Sequence, residues 1–389
     1  MWTDPLRRFG HILAVVALGW AAGCAPTKPT HVIPANPVFY PSDVPRLQFL
    51  MTFNSAEPWI SEPRSFSRFI AGDDAPVEGQ IKSPYGLAAR NGKLYVCDLA
   101  VHRIHVIDVV KKTYGVLGTR AQLSVPVNIT IDADGTKYVC DTRRGDVAVF
   151  DADDRFVRHI GDRARCIPND LAVLGEELIV VDVKDAEVEV WSKDGKLLRV
   201  IAEKGDGPGQ LRTATNVAIG SARQIYVADT GASIVQTYGS DGRYLGPVGA
   251  PGDRPGYFAR PKGLAVDPQG RLYVADAQWE HVQIFSPSKQ MLLFFGGAEP
   301  GPQGMGLPAG ISIDTTSVEA FKQFIDKDFE AEYLLFVANQ FGRNKIGVYA
   351  FGKSKTADYS VLKRPRTTRP ATPSSARSPS SRPATTPAQ

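Results

Sequence analysis

The sequence predicts an all-β chain folded as a six-bladed β-propeller, and three observations lead there. One pattern recurs six times. Its clearest copy is Pro261-Lys-Gly-Leu-Ala-Val-Asp-Pro-Gln-Gly-Arg-Leu-Tyr-Val-Ala-Asp276. Two short apolar runs joined by Asp-Pro-Gln-Gly turn chemistry read as a hairpin buried on both faces. Two further strand-like runs follow that copy, His281–Phe285 and Met291–Phe295, closed by Gly296 and Gly297. The residues that end each hairpin, Asp98, Asp141, Asp182, Asp229, Asp276 and Asn339, are spaced by 43, 41, 47, 47 and 63 residues. Four strands in each step of about 40–50 residues is the period of propeller blades.

Residues 1–23 read as an export signal. Arg7 and Arg8 make a positive start, and Ile12–Leu18 is an apolar core too short for a membrane span. Ala21-Ala-Gly-Cys24 resembles a bacterial lipobox, departing from it at Ala21, where Leu is usual. The resemblance implies cleavage before Cys24 and lipidation of that cysteine, so that the chain is held on the lipid bilayer; ordinary secretion is the alternative. Ala25 in place of Asp implies the outer membrane where a cell has two. Residues 24–45 carry six prolines and are expected to form an extended tether.

The propeller is expected over residues 46–353. Arg46–Phe53 is a strand without a local hairpin partner, while the last blade has only three strands of its own, the third at Lys345–Phe351. The early strand is therefore predicted to pair with Ile346–Phe351, close the ring and hide the edges an open array would expose. Residues 54–80, with Trp59, Phe66 and Phe69, form an irregular lead-in. In blade six, Phe321, Phe324, Ile325 and Phe329 recur at helical spacing, which predicts a helical insertion over Val318–Glu332 packed on the propeller.

Residues 354–389 are rich in Ser, Thr, Pro and Arg and too poor in apolar residues to order themselves. They carry a net +6 and the first 23 residues +1, so residues 24–353 hold −3 of the chain's total of +4. The basic character belongs to the tail, where it suits an anionic headgroup, an envelope polysaccharide or an acidic partner. Export excludes nucleic acid as the expected partner.

The recurring Pro-x-Gly-(Leu/Ile)-Ala-Val-Asp…Gly-x-Leu-Tyr-Val-Ala-Asp…(Val/Ile)-x-(Val/Ile)-Phe resembles the NHL repeat over roughly residues 46–353. The resemblance implies six blades and a monomeric domain, and leaves function open, because the same fold carries scaffolds, sensors, lyases and lactonases. The last blade, with its insertion followed by Val337–Gly342 and Val348–Gly352, resembles a group of exported bacterial six-bladed propellers, some of which accompany exported multihaem cytochromes. That analogy makes an accessory role in such a complex a further alternative.

Four sets of residues could carry chemistry. Cys97 and Cys140 fill the same slot in adjacent blades, and Cys166 starts the next, so all three thiols should lie near one face. In an oxidising compartment a Cys140–Cys166 disulfide is expected, leaving Cys97 free; the competing reading is three small buried hydrophobes. Without Cys-x-x-Cys-His, no haem attachment is expected. The ring of Asp98, Asp141, Asp182, Asp229, Asp276 and Asn339 is expected to bind backbone amides in turns, as NHL aspartates do.

The position before the first apolar run is Gly86, Gly263 and Gly310 in blades one, five and six, but Asn128, Asp170 and Asn216 in blades two, three and four. With the adjacent Asn169, these side chains should face one mouth of the channel. Cys166-Ile-Pro-Asn-Asp170 resembles part of the Ca²⁺ site of propeller lactonases of the gluconolactonase type, which implies oxygen ligands for a hard ion. The departures are Val127 and Thr215 at the other liganding positions and the lack of an N-terminal glutamate. The zinc histidines of peptide-amidating lyases have no converging counterpart in His102, His105, His159 and His281. The expected function is a non-enzymatic binding or scaffolding module at the bacterial envelope, recognising a protein or a glycan, without a cofactor. A Ca²⁺-dependent hydrolase or lactonase, or a metal-dependent lyase, centred on Asn128, Asn169, Asp170 and Asn216 is the enzymatic alternative.

Overall fold

The computed structural model describes residues 31–60 and 79–360. Six antiparallel sheets form a closed six-bladed propeller. Blade one runs Pro84–Arg90, Lys93–Asp98, Arg103–Asp108 and Thr113–Leu117. Blades two to five repeat that meander, with inner strands Pro126–Ile131, Pro168–Leu174, Ala214–Ile219 and Pro261–Val266. In blade six, Pro308–Asp314, Phe329–Asn339 and Ile346–Ser354 are completed by Leu47–Phe53. The early strand is the fourth strand that the last repeat lacks, in the register Ile346↔Phe53 to Phe351↔Leu47.

Each inner strand lies against the inner strand of the next blade, so together they wall a central channel. The apolar second strands explain the near-continuous hydrophobic runs of the repeat. Leu-Tyr-Val-Ala at 272–275 is buried on both faces, one towards each neighbouring blade. Six apolar clusters fill the gaps between successive blades. The cluster joining blades six and one, for example, combines Leu94, Val96 and Ile107 with Leu334, Phe336 and Val348.

Two segments differ from the sequence expectation. The Pro-rich stretch is not wholly a tether: His31–Val32 and Val38–Tyr40 pair side by side along the outer edge of Leu47–Phe53. An edge strand needs donors on one side only, so the prolines between and beyond these pieces are tolerated, and the edge they cover is shielded. The second difference is the blade-six insertion. It is a short 3₁₀ helix, Val318–Phe324, and Phe329 already belongs to the following strand. That strand and its partner are both extended, pairing from Phe329↔Ser354 onward. The ladder satisfies the backbone groups that a longer helix would have had to satisfy itself. The apolar spacing is still used: Phe321 lies 5.1 Å from the Trp59 ring and 5.7 Å from Phe336. Gln48 clamps the insertion to the closing strand, donating to Phe324 O and accepting from Asp326 N.

Among the described residues no helix is long and apolar enough to cross a membrane. The export signal, the lipidation expected at Cys24, the lead-in around Phe66 and Phe69, and the tail from residue 361 lie outside the described residues. The first part of the tail is held, with Tyr359 donating its hydroxyl to Pro45 O and accepting from Ser354 N.

Candidate functional site

The inner strands begin with an irregularity that fixes what faces the channel. In blade two, Pro126 pairs with Asp141, then Asn128 with Cys140, so Val127 is bulged out of register. The same step leaves out Asn169, Thr215 and Ala309 in blades three, four and six. A bulge re-aims side chains on either side of the extra residue. Asn128, Asp170 and Asn216 thereby turn onto the channel wall, and Asn169 does not. The channel encloses about 420 Å³, and Asn128, Asp170 and Asn216 line it together with Arg90, Ser312 and Thr316.

The functional atoms of these residues are directed at neighbouring backbone. Asp170 Oδ1 accepts from Leu171 N at 2.9 Å; Oδ2 accepts from Val217 N at 3.0 Å and Asn216 Nδ2 at 3.1 Å. The carboxyl therefore ties the inner strand of blade three to that of blade four. Thr130 Oγ1 donates to Leu171 O at 2.6 Å, and Ala89 N donates to Ser312 Oγ at 3.1 Å, making equivalent ties between blades two and three and between six and one. Asn128 Oδ1 accepts from Ile129 N. Asn169, outside the wall, donates to Thr215 O at 2.6 Å. Burial pushes the Asp170 carboxyl up to about 7, and its three N–H donors only partly oppose this. Asn216 Oδ1, also buried, has no hydrogen-bond partner.

The glycines at the same ring position show why the repeat changes residue type there. A Cβ on Gly310 would come within 2.3 Å of Tyr85 O, and one on Gly263 within 2.6 Å of Ala309 O. Blades five, six and one approach backbone to backbone at this level, which excludes any side chain. Between blades one and two the Asn128 side chain itself fills the space a Cβ on Gly86 would take, and between blades three and four Asp170 and Asn216 hydrogen-bond to each other across the joint.

As a Ca²⁺ site this ring does not fit. Ca²⁺ takes six to eight oxygens, commonly with several carboxylates. Here one carboxylate is present, and both its oxygens already accept N–H donors. Among the described residues no group of three or more His, Cys, Asp and Glu side chains could hold a metal.

The Cys140–Cys166 disulfide expected from the sequence is not formed. Cys97, Cys140 and Cys166 are all free and buried. Cys140 pairs across its hairpin with Asn128, directly behind the ring, and shares an apolar cluster with Cys166, while Cys97 packs in the neighbouring cluster. Burial pushes all three thiols up, which suits small apolar fillers.

The closing aspartates bind backbone. Asp276 accepts from Ala259 N, Arg260 N, Gln278 N and Trp279 N, and so fastens the linker into blade five to the turn that leaves its second strand. Asp98, Asp141 and Asp229 do the same in their blades, and Asp182 accepts from Ile167 N and Lys184 N. Asn339 instead donates to Asn344 O. The histidines do not meet: His105 is buried between Asp98 and Tyr114, and His159 lies 3.3 Å from Asp146 in another blade.

Sequence reasoning missed a group on the loop face of blades five and six. Lys262 takes the ring-mouth position held by Val127, Asn169, Thr215 and Ala309 elsewhere. Its Nζ lies 5.1 Å from the centre of the Tyr85 ring and donates to Gln340 Oε1 at 3.2 Å. Lys345 Nζ donates to Gln340 O at 2.9 Å. Tyr257, Trp279, Phe294 and Phe341 are 39, 40, 50 and 61 % exposed; among the described residues every exposed Tyr, Trp or Phe falls in this sector. A lysine after the blade-opening proline, where other copies have small or neutral residues, was the available signal.

The NHL repeat model matches residues 258–285, which span the linker, inner hairpin and third strand of blade five. The chain contains an NHL repeat. No curated protein matches it in sequence. A protein of unknown function from Bacteroides thetaiotaomicron is similar in structure, with TM-score 0.56, 15 % identity, and coverage of 78 % of this chain and 75 % of that one. A gluconolactonase from Xanthomonas campestris gives TM-score 0.53 and 17 % identity over 82 % of this chain and 99 % of its own. The virginiamycin B lyase of Staphylococcus aureus gives 0.49 and 14 % over 69 % and 95 %. At these identities the likeness is one of fold.

Proposed function

We propose that this protein is a non-enzymatic binding propeller of the bacterial envelope, lipid-anchored through Cys24, whose recognition surface is the sector formed by blades five and six. The observation that carries this reading is the confinement of exposed aromatic rings to that sector. Aromatic side chains are enriched at the centres of binding surfaces, where they contribute large contact area at low entropic cost. Trp279 and Tyr257 are neighbours there: Trp279 Nε1 donates to Gly252 O, and a Cβ on Gly252 would meet the Tyr257 ring. The polar channel ring supports the same reading from the other side, since its Asp170 and Asn216 side chains are engaged in joining blades three and four and Asn128 accepts from its own strand. The partner classes that suit such a surface are an envelope protein and an envelope glycan.

The test is co-sedimentation of a Cys24→Ser protein with isolated envelopes, compared with the same protein carrying Trp279→Ala and Phe341→Ala. The expected result is at least about a tenfold loss of retention in the double variant, as hot-spot aromatics produce. Equal retention of the two proteins would overturn the assignment of this sector.

A further inference from the structure

The inner end of the same sector holds two lysines, Lys262 and Lys345, that converge on one residue. Lys262 and Lys345 both donate to Gln340, one to its side chain and the other to its backbone carbonyl. Among the described residues neither lysine forms an ion pair. Asp98 is the carboxylate whose charge reaches Lys345, and it already accepts from Lys82 N, Ser83 N and Ala100 N and contacts His105.

Lys262 is only 9 % exposed. Buried charge is costly unless paired, and an ammonium has three donors, of which the protein takes one at Gln340. Burial first, and Arg260 second, hold Lys262 down to about 8, so it is mainly charged at neutral pH. The next residue after Gln340 is Phe341, the most exposed aromatic side chain of the described residues.

We propose that Lys262 and Lys345, which converge on Gln340, form a site for the anionic group of an acidic sugar, whose ring lies on Phe341. Two ammonium groups converging on one residue supply the charge-assisted donors that a carboxylate or phosphate oxygen accepts. The exposed phenyl face suits the C–H face of a pyranose. This inference rests on the sector assigned above and names its ligand class.

The experiment is calorimetric titration of the full chain at pH 7 with D-glucuronate, glucose 6-phosphate and glucose. The same series is run on Lys262→Met, Lys345→Met and Phe341→Ala, with Lys262→Arg as the charge-conserving control. Binding of both anionic sugars and not of glucose, weakened about tenfold or more in each lysine variant and retained in Lys262→Arg, is expected. Thermal melts of each variant establish that it is folded, and Lys345→Met tests the site independently of the buried position. Indifference to the sugar's charge, or unchanged affinity in the folded lysine variants, would overturn the inference. If the envelope retention described above depends on Trp279 and Phe341 while acidic sugars do not bind, the binding sector stands and the acidic-sugar site falls.

Discussion

Asp170 is the residue at which structure and titration are most tightly linked. Its carboxyl is pushed up to about 7 by burial, against 3.8 for an exposed aspartate. Between those values the folded state binds a proton that the unfolded state does not. The stabilising contribution of neutral Asp170 is therefore complete below about pH 4 and is lost as pH rises through 7, an effect on the order of 4 kcal/mol at full ionisation. Melting curves between pH 4.5 and 8 should show stability falling with pH in the wild type, with this component absent in Asp170→Asn. An unchanged slope in the variant would place the titrating group elsewhere. The ring also predicts that no divalent ion sustains the fold: a chelator should leave the melting temperature unchanged, and metal analysis that found stoichiometric Ca²⁺ together with chelator-induced destabilisation would contradict the reading of Asp170 as an interblade tie.

Among the elements, the hairpin of blade five shows how one side chain joins two loops. Asp276 accepts four backbone donors, two from the linker ahead of the blade and two from the turn beyond its second strand. Asp276→Ala would leave those amides without their acceptor, costing about 3 kcal/mol or more, measurable by denaturant unfolding. The turn it shapes carries Trp279, so the same variant should also weaken envelope retention. The blade-six insertion makes a different prediction. Phe321 is buried against Trp59 and Phe336 in the gap between blades six and one. Truncation to Ala should cost about 3–5 kcal/mol; a cost below about 1 kcal/mol would show that the insertion is not part of that core.

For the whole molecule, the ring closes through residues about 300 positions apart in sequence, Leu47–Phe53 against Ile346–Ser354. A chain lacking residues 31–53 would expose the outer edge of Ile346–Ser354. It should lose the single cooperative melt and associate, as size-exclusion chromatography would register. A monomeric, cooperatively melting truncated chain would contradict closure as the source of cooperativity. The closing strand was legible because one apolar run had no partner and one blade was a strand short. The 3₁₀ turn was not, because Phe321, Phe324, Ile325 and Phe329 keep helical spacing while the last of them is captured by an extended ladder. The channel ring was legible as a break in the repeat. Its hydrogen bonding was not, because a bulge after each blade-opening residue decides which side chain meets the wall. Lys262, Lys345 and the exposed aromatics escaped for a simpler reason: their significance lies in the absence of ion-pair partners among the described residues and of cover, and both are properties of the assembled face.

The most direct measurement is site-specific photocrosslinking in intact envelopes, with the photoreactive residue placed at 279 or 341 and, as controls on other blades, at the exposed positions Val157 and Leu198. A binding surface on blades five and six predicts discrete crosslinked products from 279 and 341 and none from 157 or 198. The same products from all four positions, or products from the control positions alone, would contradict it.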